Sequence, residues 1–151
     1  MNVNELLLGK NTYKIVEIKA HYVDSEYGII NGGEMISYRF ASPWLALNSE
    51  NYMKYKHSSI KERRELLRKI FIGNILSMSK HLKYNVPTTL EVDLELYPLK
   101  VSFKDISMIG FKGIFETNFL VPDYMGIGKA VSHGFGIVKK LLRCNVEGSN
   151  I

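Results

Sequence analysis

Apolar residues recur along this chain with two periods, and each period predicts a different element. Ile60, Leu67, Ile70, Phe71, Ile75, Met78 and Leu82 keep helical spacing, which aligns them on one face of a long helix. Ser59 followed by Glu62 supplies a capping box to start it. Elsewhere the period is two. Residues 35–41 set Ile36, Tyr38 and Phe40 against Ser37 and Arg39, and residues 90–96 alternate Leu90, Val92, Leu94 and Leu96 with Glu91, Asp93 and Glu95. Each pattern predicts a strand with one wet face. The alternation changes parity at Tyr97 and Pro98, which predicts a bulge or bend, and Lys100, Ser102 and Lys104 then continue the polar set. Residues 111–121 predict another long strand ending at Pro122, and residues 135–142 a final apolar-basic one.

Between these segments the signals are punctuation. Leu6 to Leu8 with Gly9 behind them read as the end of a helix, residues 13–20 as a strand, and residues 22–34, with Gly28, Gly32 and Gly33, as a loop or hairpin. Little apolar surface precedes Tyr13, so residues 1–34 read as the strand and loop of a preceding unit and residues 35–151 as a domain. Pro43 stops the strand before it, Trp44 to Leu47 form an apolar plug, and Asn48 caps a short helix through Glu50, Tyr52 and Tyr55. The resulting order is strand, long helix, strand, strand, irregular segment, strand. It predicts an α+β, ferredoxin-like βαββαβ fold whose second helix is reduced to a glycine-rich loop. A sheet covered by helices on one face keeps the other face free for a partner.

Composition narrows the class. With 151 residues, 46% hydrophobic and 23% charged, the chain can bury one globular core. No apolar run approaches the ~20 residues of a bilayer span, so no membrane partner and a cytoplasmic location are expected. The single cysteine, Cys144, excludes an intramolecular disulfide and reads as a small apolar residue. Strand alternation already accounts for Glu91, Asp93 and Glu95, and no metal or other cofactor is expected. A net charge of +5 favours acidic partners, nucleic acid ahead of membrane.

The candidate chemistry lies in residues 122–142, where Gly126, Gly128, Gly134 and Gly136 bracket Lys129, Ser132 and His133 and lead into Phe135. Glycines admit positive φ and close backbone approach, so successive N–H groups can converge on a phosphate. The alternative is a tight connection between sheet strands with no ligand. The dinucleotide fingerprint is excluded because Val131 stands where Gly or Ala is needed, and the Walker loop because Gly-Lys-Ser/Thr is absent. Lys61, Arg63, Arg64, Arg68 and Lys69 crowd the first half of the long helix, where the dipole disfavours cations. A polyanion lying across the helix would explain them; a solvated face is the alternative. Two histidines are candidate proton carriers, His133 inside the glycine loop and His57 among Tyr52, Lys54, Tyr55 and Lys56. His21 and His81 have no such company.

The loop residues Gly126, Gly128, Ser132, Gly134, Phe135 and Gly136 resemble the C-terminal glycine-rich loop of the CRISPR-associated repeat endoribonucleases. The stretches SYRFASPWLALNSENY, from Ser37 to Tyr52, and GNILSMSKHL, from Gly73 to Leu82, look similar to the C-terminal domain of one branch of that family. The resemblance implies two ferredoxin-like domains in tandem, of which this chain holds about one, and CRISPR repeat RNA as the partner. It implies metal-independent cleavage, in which a 2′-hydroxyl attacks the adjacent phosphate and leaves a 2′,3′-cyclic phosphate. Members of this kind keep their catalytic histidine in the N-terminal domain, so no matching position here inherits it, and His57 and His133 stand as the candidates. RNA contact is expected at Gly126, Gly128, Lys129, Ser132, His133, Gly134, Phe135, Gly136, Arg64 and Arg68. An N-terminal domain partner or a second copy is the other partner expected. The competing readings are a non-catalytic RNA-binding or assembly subunit, and a ferredoxin-like ligand or interaction module without nucleic acid.

Overall fold

The computed structural model describes residues 4–18 and 26–142; His21 and Cys144 lie outside them. Four strands form the central sheet: β4 (Ile36–Phe40), β5 (Val92–Phe103), β6 (Ile106–Thr117) and β8 (Val138–Lys140), in the order β5-β6-β4-β8 with every neighbour antiparallel. β6 therefore separates β4 from β5, which run parallel to each other, and the chain crosses between them through α1 (Ser49–His57) and α2 (Ile60–His81). β4 likewise separates β6 from β8. The second crossover holds only a single 3-10 turn, Val131–His133, within the glycine loop. This is the split βαβ arrangement expected, with the second helix reduced.

Helix boundaries follow the capping signals. Asn48 Oδ1 accepts the Asn51 amide at the start of α1 (2.7 Å), and Ser59 and Glu62 bond reciprocally at the start of α2. Along α2, Leu67, Phe71, Ile75 and Ser79 are buried at four-residue intervals, while Ile60 is 86% exposed and Leu82 serves as the C-cap. The stripe is thus shorter than the sequence suggests, because both ends overhang the sheet. Phe71 meets Phe40, Trp44 and Phe115, and the plug Trp44 to Leu47 is buried throughout. Tyr38 is fully buried, stacked on Phe115, and its hydroxyl accepts the Val121 amide (3.0 Å). Burial holds that phenol above its ordinary pKa.

The long hairpin departs from expectation. No bulge occurs at Tyr97 and Pro98: the β5–β6 ladder runs in one register from Val92↔Thr117 to Phe103↔Ile106. What changes is which face is covered. Val92 and Leu94 are buried and Leu96 is half-buried on the helix side, whereas past Pro98 the half-buried residues are Leu99, Val101 and Phe103, on the other face. Pro98 fits because its opposite residue, Phe111, bonds both its N–H and its C=O to Trp44, so no amide is required of the edge strand there. The turn comprises Lys104 and Asp105, both at positive φ (49° and 61°), as a two-residue primed turn requires. β6 accordingly begins at Ile106, five residues before the stretch the apolar run marks out.

The N-terminal segment is also corrected. Leu6 to Leu8 lie in β1 (Glu5–Leu8), paired with β2 (Asn11–Lys14), because Gly9 at φ 64° makes a hairpin turn rather than a helix cap. The second strand ends at Lys14, and both strands are exposed along their whole length. β3 (Gly28–Ile29) pairs with β7 (Phe119–Leu120), and Tyr27 packs edge-on against Phe119 and Tyr84. The final strand is three residues long, and Leu142 is exposed.

Candidate nucleic-acid interface

The glycine loop is a built connection. Gly126 bridges Ile137, the Ile127 amide donates to Gly136 O (2.9 Å), and the Gly136 amide donates to Pro43 O (2.8 Å). Gly128 (φ 91°) and Gly136 (φ 68°) sit where only glycine fits: a Cβ on the first would strike the Trp44 indole, and one on the second the Ile127 carbonyl. Gly134 (φ 84°) faces open space. The amides of His133, Gly134, Phe135, Gly136 and Ile137 all bond within the fold. They do not converge on an anion. What the loop presents outward is side chains, on the exposed run Val131 to Gly134 and at Lys129.

His133 lies against the hairpin tip, edge-on to Phe103 at 5.0 Å, with Phe135 edge-on to the same ring at 5.6 Å. Lys104 Nζ stands over Phe103 at 5.4 Å, and Ser132 Oγ is 3.2 Å from His133 Nδ1. The loop tip and hairpin tip therefore form one aromatic and basic cluster at the surface, with His133 and Lys104 exposed and Phe103 and Phe135 half-buried, which can stack a base and meet a phosphate. Lys129 instead turns toward a groove of about 960 Å³ between α1 and the hairpin, whose lining includes Tyr52, Met53, Pro98, Leu99 and Lys100 and contains no carboxylate. His57, exposed at the C-terminal end of α1, makes no contact with His133.

The basic half of α2 finds its partners inside the molecule. Arg63 donates to Tyr55 O and Lys56 O and lies over the Tyr55 ring, tying α1 to α2. Arg64 pairs with Asp93, and Arg68 donates to Val92 O (3.2 Å) and reaches Glu65, which also pairs with Lys69. Arg64 and Arg68 brace the helix against β5 and Arg63 braces it against α1, so the placement of these three needs no external polyanion.

Sequence reasoning missed the cations of the sheet. Arg39, Lys112 and Lys139 carry no ion pair among the described residues. Tyr97 and Tyr124 are 56% and 62% exposed. Only pairing register shows that several of these share a face, and a register between distant segments leaves no local signal.

The family profile described as the Cas6b C-terminal domain matches residues 31–141. This chain belongs to that family. It is 45% identical over 139 residues to MJ0978, an uncharacterized protein of Methanocaldococcus jannaschii, covering 91% of this chain and 93% of that one. It is also similar to two solved structures. One, a crystal structure of Cas6b, shares 41% identity at a TM-score of 0.79 over 91% of this chain; the other, of the CRISPR RNA processing endoribonuclease Cas6b, shares 40% at 0.74 over 87%. The chain spans 62% of the length of each of these solved Cas6b chains.

Proposed function

We propose that this chain is a CRISPR repeat-RNA binding domain of the Cas6b type, gripping the RNA through the glycine loop and the hairpin tip. The observation that carries this reading is the likeness over 87% of the chain to a structure of a CRISPR RNA processing endoribonuclease. The cluster of His133, Phe103, Phe135 and Lys104 supplies stacking surface and positive charge at one place, which suits single-stranded RNA. Within this reading residues 35–151 are the binding unit, and residues 1–34 connect it to an N-terminal domain that carries the cleaving histidine. Cleavage by the family chemistry, 2′-hydroxyl attack giving a 2′,3′-cyclic phosphate, then depends on that second domain. Ser132 beside His133, and Lys129 at the neighbouring groove, are the phosphate contacts of this reading.

End-labelled CRISPR repeat RNA, incubated in EDTA with the 151-residue chain, tests the reading. Binding that weakens steeply with salt is expected, without cyclic-phosphate products. The double substitution Lys129→Ala/His133→Ala should weaken binding about tenfold, in line with removing one phosphate partner and one stacked ring. No binding at low salt would sink the proposal, and cyclic-phosphate products would move catalysis into this chain.

A further inference from the structure

The open face of the central sheet contains two like-charge pairs, and the fold treats them differently. Directly opposed residues point to the same face. Asp93 stands opposite Glu116, Tyr97 opposite Lys112, and Arg39 opposite both Ile114 and Lys139. The acidic pair is relieved internally: Arg64 pairs with Asp93, and Ser37 Oγ–H donates to Glu116 Oε1 (2.7 Å). The basic pair is not. Neither Arg39 nor Lys139 has a carboxylate partner among the described residues, and Lys139 has only the Tyr124 ring, 5.4 Å from its Nζ. Two cations directly opposed across a sheet cost stability, and a polyanion on this face turns that cost into binding.

We propose that a single-stranded segment of RNA crosses this face, with phosphates at Arg39, Lys139 and Lys112 and bases stacked on Tyr97 and Tyr124. The inference rests on the RNA reading above and deepens it by placing the strand's path on the sheet instead of on α2. Charge sets the direction. Glu95 closes the row Lys139–Arg39–Ile114–Glu95 on the far edge strand, and Asp93 and Glu116 lie in the next row, so a phosphate backbone is repelled from that stretch of β5 and from Glu116, whereas Tyr124 bonds its amide to Val138 O and so joins the basic edge to the glycine loop. A protein partner would be expected to bring carboxylates or apolar surface. The uncompensated cations beside exposed rings fit a strand that presents phosphates and bases alternately.

The test measures binding of fluorescein-labelled CRISPR repeat RNA to the 151-residue chain by anisotropy across a salt series. Arg39→Gln/Lys139→Gln should bind about tenfold more weakly, with the slope of log K against log salt reduced by about 1.4, roughly 0.7 for each single-strand phosphate that is no longer neutralised. Its melting temperature should hold or rise, since repulsion is removed; a purely structural pair would melt earlier. Tyr97→Ala should weaken binding about tenfold with the slope unchanged, because stacking releases no counterions. If both variants bind like the parent while Lys129→Ala/His133→Ala binds weakly, the path across the sheet is overturned and the loop reading stands. If the parent itself does not bind, both fall. A double variant that changes sedimentation of the chain alone, with RNA affinity intact, marks the face as a protein interface and also overturns the proposal.

Discussion

Glycine positions in the loop are unequal. Gly136 and Gly134 both adopt positive φ, but only at Gly136 would a Cβ meet backbone, the Ile127 carbonyl. Gly134→Ala should therefore cost about 1 kcal/mol, from left-handed strain alone, while Gly136→Ala should cost clearly more or prevent folding. Urea unfolding of the two variants checks this, and equal midpoints would show that the loop yields at Gly136. The four glycines are visible in the sequence as a cluster, and so is the demand for unusual backbone. Which of them face open space and which face packed atoms is not, because that depends on Trp44 and Ile127 as neighbours. Arg64 and Arg68 teach the same lesson. Their charge is legible, but Asp93 and the Val92 carbonyl that satisfy them arrive only when β5 packs beside α2.

At the level of elements, α2 is the most legible because its start is a local hydrogen-bonding problem. Glu62 is held below the usual carboxylate range first by the bond its carboxylate accepts from the Ser59 amide, then by the Ser59 hydroxyl. A lowered folded-state pKa means the stabilisation is present above the ordinary glutamate pKa and lost as pH falls through the lowered value. Glu62→Gln should thus narrow its stability deficit against the parent as the solution is acidified, which melting curves from neutral to acid pH will show. A constant deficit would mean that the charge is irrelevant to the cap. The β5–β6 hairpin is less legible. Its parity change is real, yet the register never slips; the covered face changes because the hairpin outruns the helices, and the loop tip packs on Phe103 from the other side. A local pattern reports burial, and burial can switch faces without a bulge.

For the molecule as a whole, Trp44 joins core to candidate site. It is fully buried, stacks on Phe40, meets Phe71 and Phe111, donates from Nε1–H to Asn74 Oδ1 (3.1 Å), and abuts Gly128 of the loop. Trp44→Phe should lower the unfolding free energy by about 1–3 kcal/mol, through poorer packing and an unpaired Asn74, and should weaken RNA binding in parallel. The loop double substitution should weaken binding alone. If Trp44→Phe bound RNA normally, loop placement would not depend on the core.

The sequence by itself determined the α+β order, both helix caps, the two-period burial code and the glycine-rich substitute for a second helix. Each of these is settled by neighbours within a few residues, through capping bonds, alternation and permitted φ. Tertiary structure decided which cations are spent on bracing α2, that the amides from His133 to Ile137 are occupied, and that Arg39 and Lys139 stand unrelieved on one face. Those outcomes depend on strand register and on packing between segments far apart in the chain, and the free energy of a charge or an amide is set by what folding places beside it.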